Sequence, residues 1–397
     1  MAESSIHVPV PTLISQSVLI EPDAVRILDR RVFPFERTWV SCATYQEVAQ
    51  AIEDMVTQSN GPLFAAAGGM TLAARAADAL PGENRRAYLT EAADRLRATR
   101  PTHNGIREVV DAILRAAEPS LAAREPVAEV VEQAAVAAGD RHFARCRQLG
   151  EAAAELLDDG DTVLTHCWGE SYVTEPVAAA LRAGKRLRMV CTETRPYLQG
   201  ARLTAESLAE MGVETVVVTD AMPAELMSRG EIDKVITGAD RVTMDGHVIN
   251  KVGTLQIAIA AHAFGVPYVA VVTAPDAQAP TPEAVPLEYR DGNEVLHALG
   301  HRTASTRATG IYPAFDVTPP RYVSTVATDR GPVLAQRPRV LLQHRRPGLN
   351  PAARDTDTIA SRFGIRVPRP GRTRGTLGPL CGPTSITSSP HPGCTWW

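Results

Sequence analysis

The chain has 397 residues, 44% apolar and 22% charged, with a formal net charge of −4. That length accommodates two domains with a buried core, and the slightly acidic balance gives no footing for nucleic acid or an anionic membrane. No stretch approaches the ~18 uncharged apolar residues of a spanning helix, and Met1 to Pro11 lack the basic-then-apolar pattern of a secretory leader. Six cysteines, at 42, 146, 167, 191, 381 and 394, form no CxxC and no disulfide framework, so a cytoplasmic protein is expected.

Residues 1–24 carry little periodicity and read as a loose arm. Val25 to Pro34 and Thr38 to Cys42 are candidate strands. Thr44 caps a helix that opens at Tyr45, with Val48, Ala51, Ile52 and Met55 on one face. Ser59-Asn60-Gly61-Pro62 breaks the chain, and an Ala-rich buried helix follows from Leu63 to Leu80. A turn from Ala98 to Thr102 carries Arg100. Ile106 to Ala117, Val127 to Ala138 and His142 to Leu157 have helical apolar spacing. Residues 25–158 therefore read as a mainly helical N-terminal domain.

At Asp159-Gly160-Asp161 the texture changes. Short apolar runs at 162–165, 188–191, 215–218, 234–236 and 268–272 alternate with helical stretches at 175–183, 203–211, 223–229 and 254–264. This is the pattern of βαβ units and a parallel sheet covered on both faces. The fold class is α/β, with a Rossmann-like parallel-sheet C-terminal domain over 159–336. Ile311 to Pro320 reads as a loop with buried aromatics leading to a small helix near Val323. Residues 337–397, rich in Arg and Pro and then Gly, Ser and Thr, read as a disordered tail.

Unusual polar residues cluster where the apolar runs end, the place where open parallel sheets bind ligands. Cys167 follows one such run and precedes a helix marked by Thr174-Glu175-Pro176. A helix N-terminus there would lower the thiol pKa and make it a usable acid or base, against the plain alternative of a packed cysteine. Its neighbour His166 reads as a satisfied structural side chain. Asp240, behind Gly238-Ala239, is either a general acid or a turn aspartate paired with Arg241. Asn250-Lys251 precedes a helix near Thr254, where free amides and an ammonium would suit a phosphate; a surface lysine is the competing account. Gln199, Arg195 and Arg202 offer donors from one Pro- and Gly-containing loop, and Arg100 adds a further cation.

Glu193-Thr194-Arg195-Pro196 with Leu198 to Thr204 resembles the signature of S-methyl-5-thioribose-1-phosphate isomerases. So do Gly238-Ala239-Asp240-Arg241, Asn250 to Thr254 and Pro313 to Pro319. The wider group includes ribose-1,5-bisphosphate isomerases and regulatory subunits of a translation-initiation exchange factor. The resemblance spans roughly residues 25 to 335. It implies Cys167 and Asp240 as the catalytic pair, and Arg100, Gln199, Asn250 and Lys251 as substrate contacts. It also implies a homodimer that takes a small sugar phosphate. The sequence itself has no apparent metal cluster or nucleotide fingerprint, so no cofactor or metal is expected.

Two departures stand out. The family's phosphate-binding Arg-Gly-Ala-Pro segment is replaced by Gln58 to Pro62, so Asn60 and Gly61 would reach a ligand only through their amides. Trp168 and Glu170 follow the cysteine where the family has smaller residues, which puts an indole and a carboxylate beside the reacting carbons and disfavours a second phosphate. The expected activity is aldose–ketose isomerisation of a 5-modified ribose 1-phosphate, the 5-methylthio or 5-deoxy sugar. The alternatives are a ribose-1,5-bisphosphate isomerase and a non-catalytic regulatory subunit.

Overall fold

The computed structural model describes residues 6–100 and 104–335. The expected tail at 337–397, and Pro101 and Thr102 of the expected turn, lie outside the described residues. The chain opens with a short helix α1 (Thr12–Ser15) and strands β1 (Val18–Ile20), β2 (Val25–Leu28) and β3 (Trp39–Cys42). These strands form an antiparallel sheet in chain order. The loose arm expected over 1–24 is thus corrected for its described residues: Leu13 is fully buried with Leu28, Phe33, Trp168 and Leu203. An apolar triplet such as Val18-Leu19-Ile20 has no readable period until a hairpin partner supplies one.

Helix α2 (Tyr45–Glu53) starts in a capping box, with Thr44 accepting from the Glu47 amide and Glu47 reaching back to the Thr44 amide. It packs with α3 (Gly61–Asp78), α4 (Gly82–Ala98), α5 (Asn104–Ala123) and the first half of α6 (Ala128–Ala154) around Met70, Leu96, Ile113 and Val131. Two helices were expected where α6 is continuous. Gly139 costs a helix interior about 1 kcal/mol, less than the helix recovers by packing its two halves on different cores. Val131 and Ala135 join the helical core, whereas Leu149 and Ala153 join the core of the sheet layer.

The sheet layer begins with β4 (Thr162–Thr165), α7 (Ser171–Arg182) and β5 (Arg188–Thr192). A π turn (Gly200–Thr204) runs into α8 (Ala205–Glu210), followed by β6 (Glu214–Val218), α9 (Pro223–Ser228) and β7 (Lys234–Gly238). Next come β8 (Arg241–Val242), β9 (Val248–Lys251), α10 (Thr254–Ala263) and β10 (Tyr268–Val271). Short strands β11 (Tyr289–Arg290), β12 (His297–Ala298), β13 (His301–Arg302) and β14 (Tyr312–Pro313) precede β15 (Phe315–Thr318), β16 (Thr325–Thr328) and β17 (Gly331–Val333).

The main sheet has the order β17-β16-β10-β7-β4-β5-β6, parallel throughout except for β17. The chain lays β5 and β6 on one side of β4, then returns to lay β7, β10 and β16 on the other. The winding direction reverses between β4 and β7, which opens a crevice beyond their carboxyl ends. A second sheet, β15-β9-β8, stands beside it. The loop expected over 311–320 contains β14 and β15, and the helix expected near Val323 is a single 3₁₀ turn (Pro320–Tyr322) ahead of β16. The partners of these short strands are distant in the chain, so local spacing does not announce them. Among the described residues no helix is long and apolar enough to cross a membrane.

Candidate functional site

The crevice holds a cleft of about 500 Å³, a size suited to a small ligand. Cys167, Asp240, Asn60, Arg100, Gln199, Asn250 and Lys251 all line it, and Gly61 does not.

Cys167 leaves β4 through a tight loop in which both it (φ 66°) and Glu170 (φ 50°) take the left-handed conformation. Non-glycine residues hold that shape at a cost of about 1–3 kcal/mol each, so their surroundings must over-determine it. The Cys167 amide donates to Thr194 Oγ1 at 2.9 Å, and its carbonyl accepts from the Thr204 hydroxyl at 2.5 Å. His166 beside it is buried, with Nδ1 2.6 Å from Thr192 Oγ1 and Nε2 2.9 Å from the Val252 carbonyl. A carbonyl only accepts, so Nε2 carries the proton and Nδ1 accepts from Thr192. Burial lowers the imidazole pKa, and His166 is a neutral strut between β4 and the turn after β9.

The lowered thiol pKa expected from a helix N-terminus does not materialise. Burial pushes the Cys167 thiol up, and the Lys251 ammonium and the Trp168 amide only partly oppose it. Helix α7 starts at Ser171, four residues beyond the sulfur. The thiol is therefore held in its neutral form.

Asp240 follows Ala239 at the end of β7 and is exposed to the cleft. Its alternative partner, Arg241, is paired with Asp276 at 3.0 Å. The Asp240 charge reaches Cys167, Lys251 and Arg100, raising the thiol pKa and favouring both cations. Lys251 closes β9, almost wholly buried, with Nζ 4.6 Å from the Phe315 ring and 5.8 Å from Tyr312. Burial holds its ammonium below the usual lysine range. Asn250 Nδ2 donates to Thr254 Oγ1 at 3.0 Å.

Two of the amides expected to be free at the start of α10 are taken. Asp316 Oδ2 accepts those of Gly253 and Leu255, which throws more of any phosphate binding onto the Lys251 and Arg100 side chains. Arg100 donates to Met55 Sδ at 3.4 Å, and burial lowers its pKa. The sequence reading missed Arg290, which β11 brings to the cleft and which pairs with Glu288 at 2.7 Å. Its strand is two residues long and carries no signal of its own.

The amides of Asn60 and Gly61 are also spoken for, by Glu170 Oε2 at 2.7 Å and the Gln58 carbonyl at 3.0 Å. Asn60 has only its side chain left to offer the cleft, and Gly61 is a packing position whose added Cβ would collide with Thr57 Oγ1 at 1.9 Å. Glu170 is not the cleft carboxylate the sequence suggested. It is buried against Arg30 at 3.5 Å, and Arg30 also holds Ser17 Oγ and the Gln58 carbonyl. Arg202, offered as an anion donor, instead binds the carbonyls of Arg30, Arg31, Phe33 and Tyr197. Arg195 donates to the Val295 carbonyl.

A model of the initiation factor 2 subunit family matches residues 56–334. The methylthioribose-1-phosphate isomerase of Thermotoga neapolitana is 34% identical over 78% of this chain and 92% of its own length. Its namesake from Anaeromyxobacter dehalogenans is 37% identical over 79% and 91%. Among solved structures, 5-methylthioribose 1-phosphate isomerase from Pyrococcus horikoshii superposes with a TM-score of 0.76 at 29% identity, covering 84% of this chain and 98% of that one. The eIF-2B delta subunit from A. fulgidus gives 0.68 at 30% identity, covering 80% and 95%.

Proposed function

The chain belongs to the initiation factor 2 subunit family, and from that premise we propose that it is the aldose–ketose isomerase of 5-methylthioribose 1-phosphate, an enzyme of methionine salvage. The observation that carries this reading is a thiol and a carboxylate on neighbouring strand ends, both lining one small cleft with a buried lysine. The phosphate blocks the anomeric oxygen, so the ring opens before C1 and C2 exchange oxidation level. Asp240, exposed to the cleft, carries the proton between the ring oxygen and O2. Cys167 attends the C1–C2 edge as a neutral thiol in a dry wall. Lys251 and Arg100 hold the phosphate, and Asn60, Gln199 and Asn250 orient the sugar.

A ribose-1,5-bisphosphate isomerase and a non-catalytic subunit are the less favoured readings, because the relatives at 34% and 37% identity are methylthioribose-1-phosphate isomerases. That isomerase's solved structure also superposes with the higher TM-score, 0.76 against 0.68 for the eIF-2B subunit. We take the working form to be a cytoplasmic homodimer with a Rossmann-like catalytic domain. Assaying the purified chain with 5-methylthioribose 1-phosphate, 5-deoxyribose 1-phosphate and ribose 1,5-bisphosphate tests the activity. Ketose 1-phosphate formed fastest from the methylthio sugar is the expected result, and no turnover of any of the three refutes it. A deuterium label at C2 retained in the product would assign a hydride shift, and exchange with solvent an enediol.

A further inference from the structure

Arg30 is flanked by two side chains whose N–H groups have no acceptor. The Gln58 backbone carbonyl accepts from Arg30 at 2.5 Å, yet its side-chain Nε2 has no hydrogen-bond partner among the described residues. The Trp168 ring lies 6.0 Å from the Arg30 guanidinium carbon, and its Nε1 is likewise unpartnered. On the same cleft, Gln199 Oε1 has no partner among the described residues either. These residues are only 6%, 5% and 2% exposed, and all line the cleft. Native proteins rarely leave buried polar atoms unsatisfied, and these three belong to residues that line the cleft, where a ligand would meet them.

The chemistry of the set narrows what that ligand offers. Two N–H donors call for an accepting oxygen, and an amide oxygen calls for a hydrogen. A hydroxyl meets both demands, whereas a phosphate dianion meets only the first. Arg30 commits Nη1 and Nη2 to Glu170, Ser17 and the Gln58 carbonyl and so holds the wall in place. Its Nε, also unpartnered among the described residues, belongs to a side chain that does not line the cleft. We infer that Gln58 and Trp168, together with Gln199, form a subsite that selects a sugar hydroxyl of the substrate, an assignment that rests on the sugar-phosphate reading above. Gln58 and Trp168 are specificity residues there and take no part in proton transfer.

Two near-isosteric variants, Gln58→Met and Trp168→Phe, test this in the full chain. Trp168→Phe removes one N–H and Gln58→Met removes the side-chain amide with its two, and both keep most of the bulk. Steady-state kinetics and calorimetric binding of 5-methylthioribose 1-phosphate are measured, with inorganic phosphate as a competing ligand. Each variant is expected to raise KM and Kd about tenfold, the loss of roughly one hydrogen bond, with kcat nearly unchanged and phosphate inhibition unaltered. A merely structural role would lower the thermal midpoint without moving KM.

Unchanged KM and Kd in both variants overturn the inference. So does a parallel loss of affinity for inorganic phosphate, which would assign the donors to the phosphate. Should Gln58→Met not fold, Trp168→Phe decides alone. A wild type that binds the sugar without turning it over, in a manner either variant weakens, sinks the isomerase reading and keeps this one. A wild type that does not bind it sinks both.

Discussion

The Asp316 carboxylate holds the Gly253 amide at 2.7 Å and the Leu255 amide at 3.0 Å, fixing the turn that follows Lys251. Gly253 sits at φ 109°, and a Cβ there would press on His166 Nε2 at 2.8 Å. Gly253, two residues beyond Lys251, is therefore locked from both sides.

Burial raises the Asp316 carboxyl from 3.8 to about 6, against the pull of those two amides. The folded protein holds this proton more tightly than the unfolded chain. Its favourable share of stability is thus full below about 3.8 and is lost as pH rises through about 6. Asp316→Asn keeps an acceptor and removes the titration. The stability difference between wild type and variant, from denaturant unfolding, should shift across that window and level off above it. A difference independent of pH would sink the assignment.

Cys167→Ser and Asp240→Asn should each reduce turnover by about two orders of magnitude or more, with native circular dichroism. Near-normal rates in either variant remove that residue from the chemistry.

Because burial keeps the Cys167 thiol protonated, its alkylation by iodoacetamide should be slow at neutral pH and accelerate at alkaline pH. Lys251 lowers that pKa, so Lys251→Met should slow the reaction further. Mass spectrometry of the peptide containing residue 167 reads this out. Faster labelling in the variant would contradict the electrostatics.

Glu170→Ala should destabilise the fold by about 3–5 kcal/mol, because it strands the buried Arg30 charge. Replacing both residues, as in Arg30→Met with Glu170→Leu, should recover part of that loss. Equal urea midpoints for the single variant and wild type would show that the pair contributes nothing.

The sheet layer was legible because its strands are short apolar runs between helical ones, and buried parallel strands need little else. Cys167, Asp240 and Lys251 were found for the same reason, as polar residues closing such runs. What escaped was every partner supplied from far away. Arg30 and Glu170 are 140 residues apart, and Asp316 lies 63 residues beyond Gly253. Local spacing carries no mark of such pairings, so Glu170 was read as a cleft residue and the α10 amides as free. The thiol pKa was misjudged for a related reason: sequence shows the helix ahead but not the depth of the wall.

Leu164 of β4 lies directly opposite Val235 of β7 in the ladder, so backbone hydrogen bonds meter the gap between the loops that follow them. The covalent route between those loops, through α7, β5, α8, β6 and α9, is a detour around the sheet edge. Mutational drift can rewrite the exposed residues 228–230 without touching that gap, much as a bridge's span does not depend on the road leading to it, whereas Asp220 must stay to hold the Thr194 amide beside Cys167.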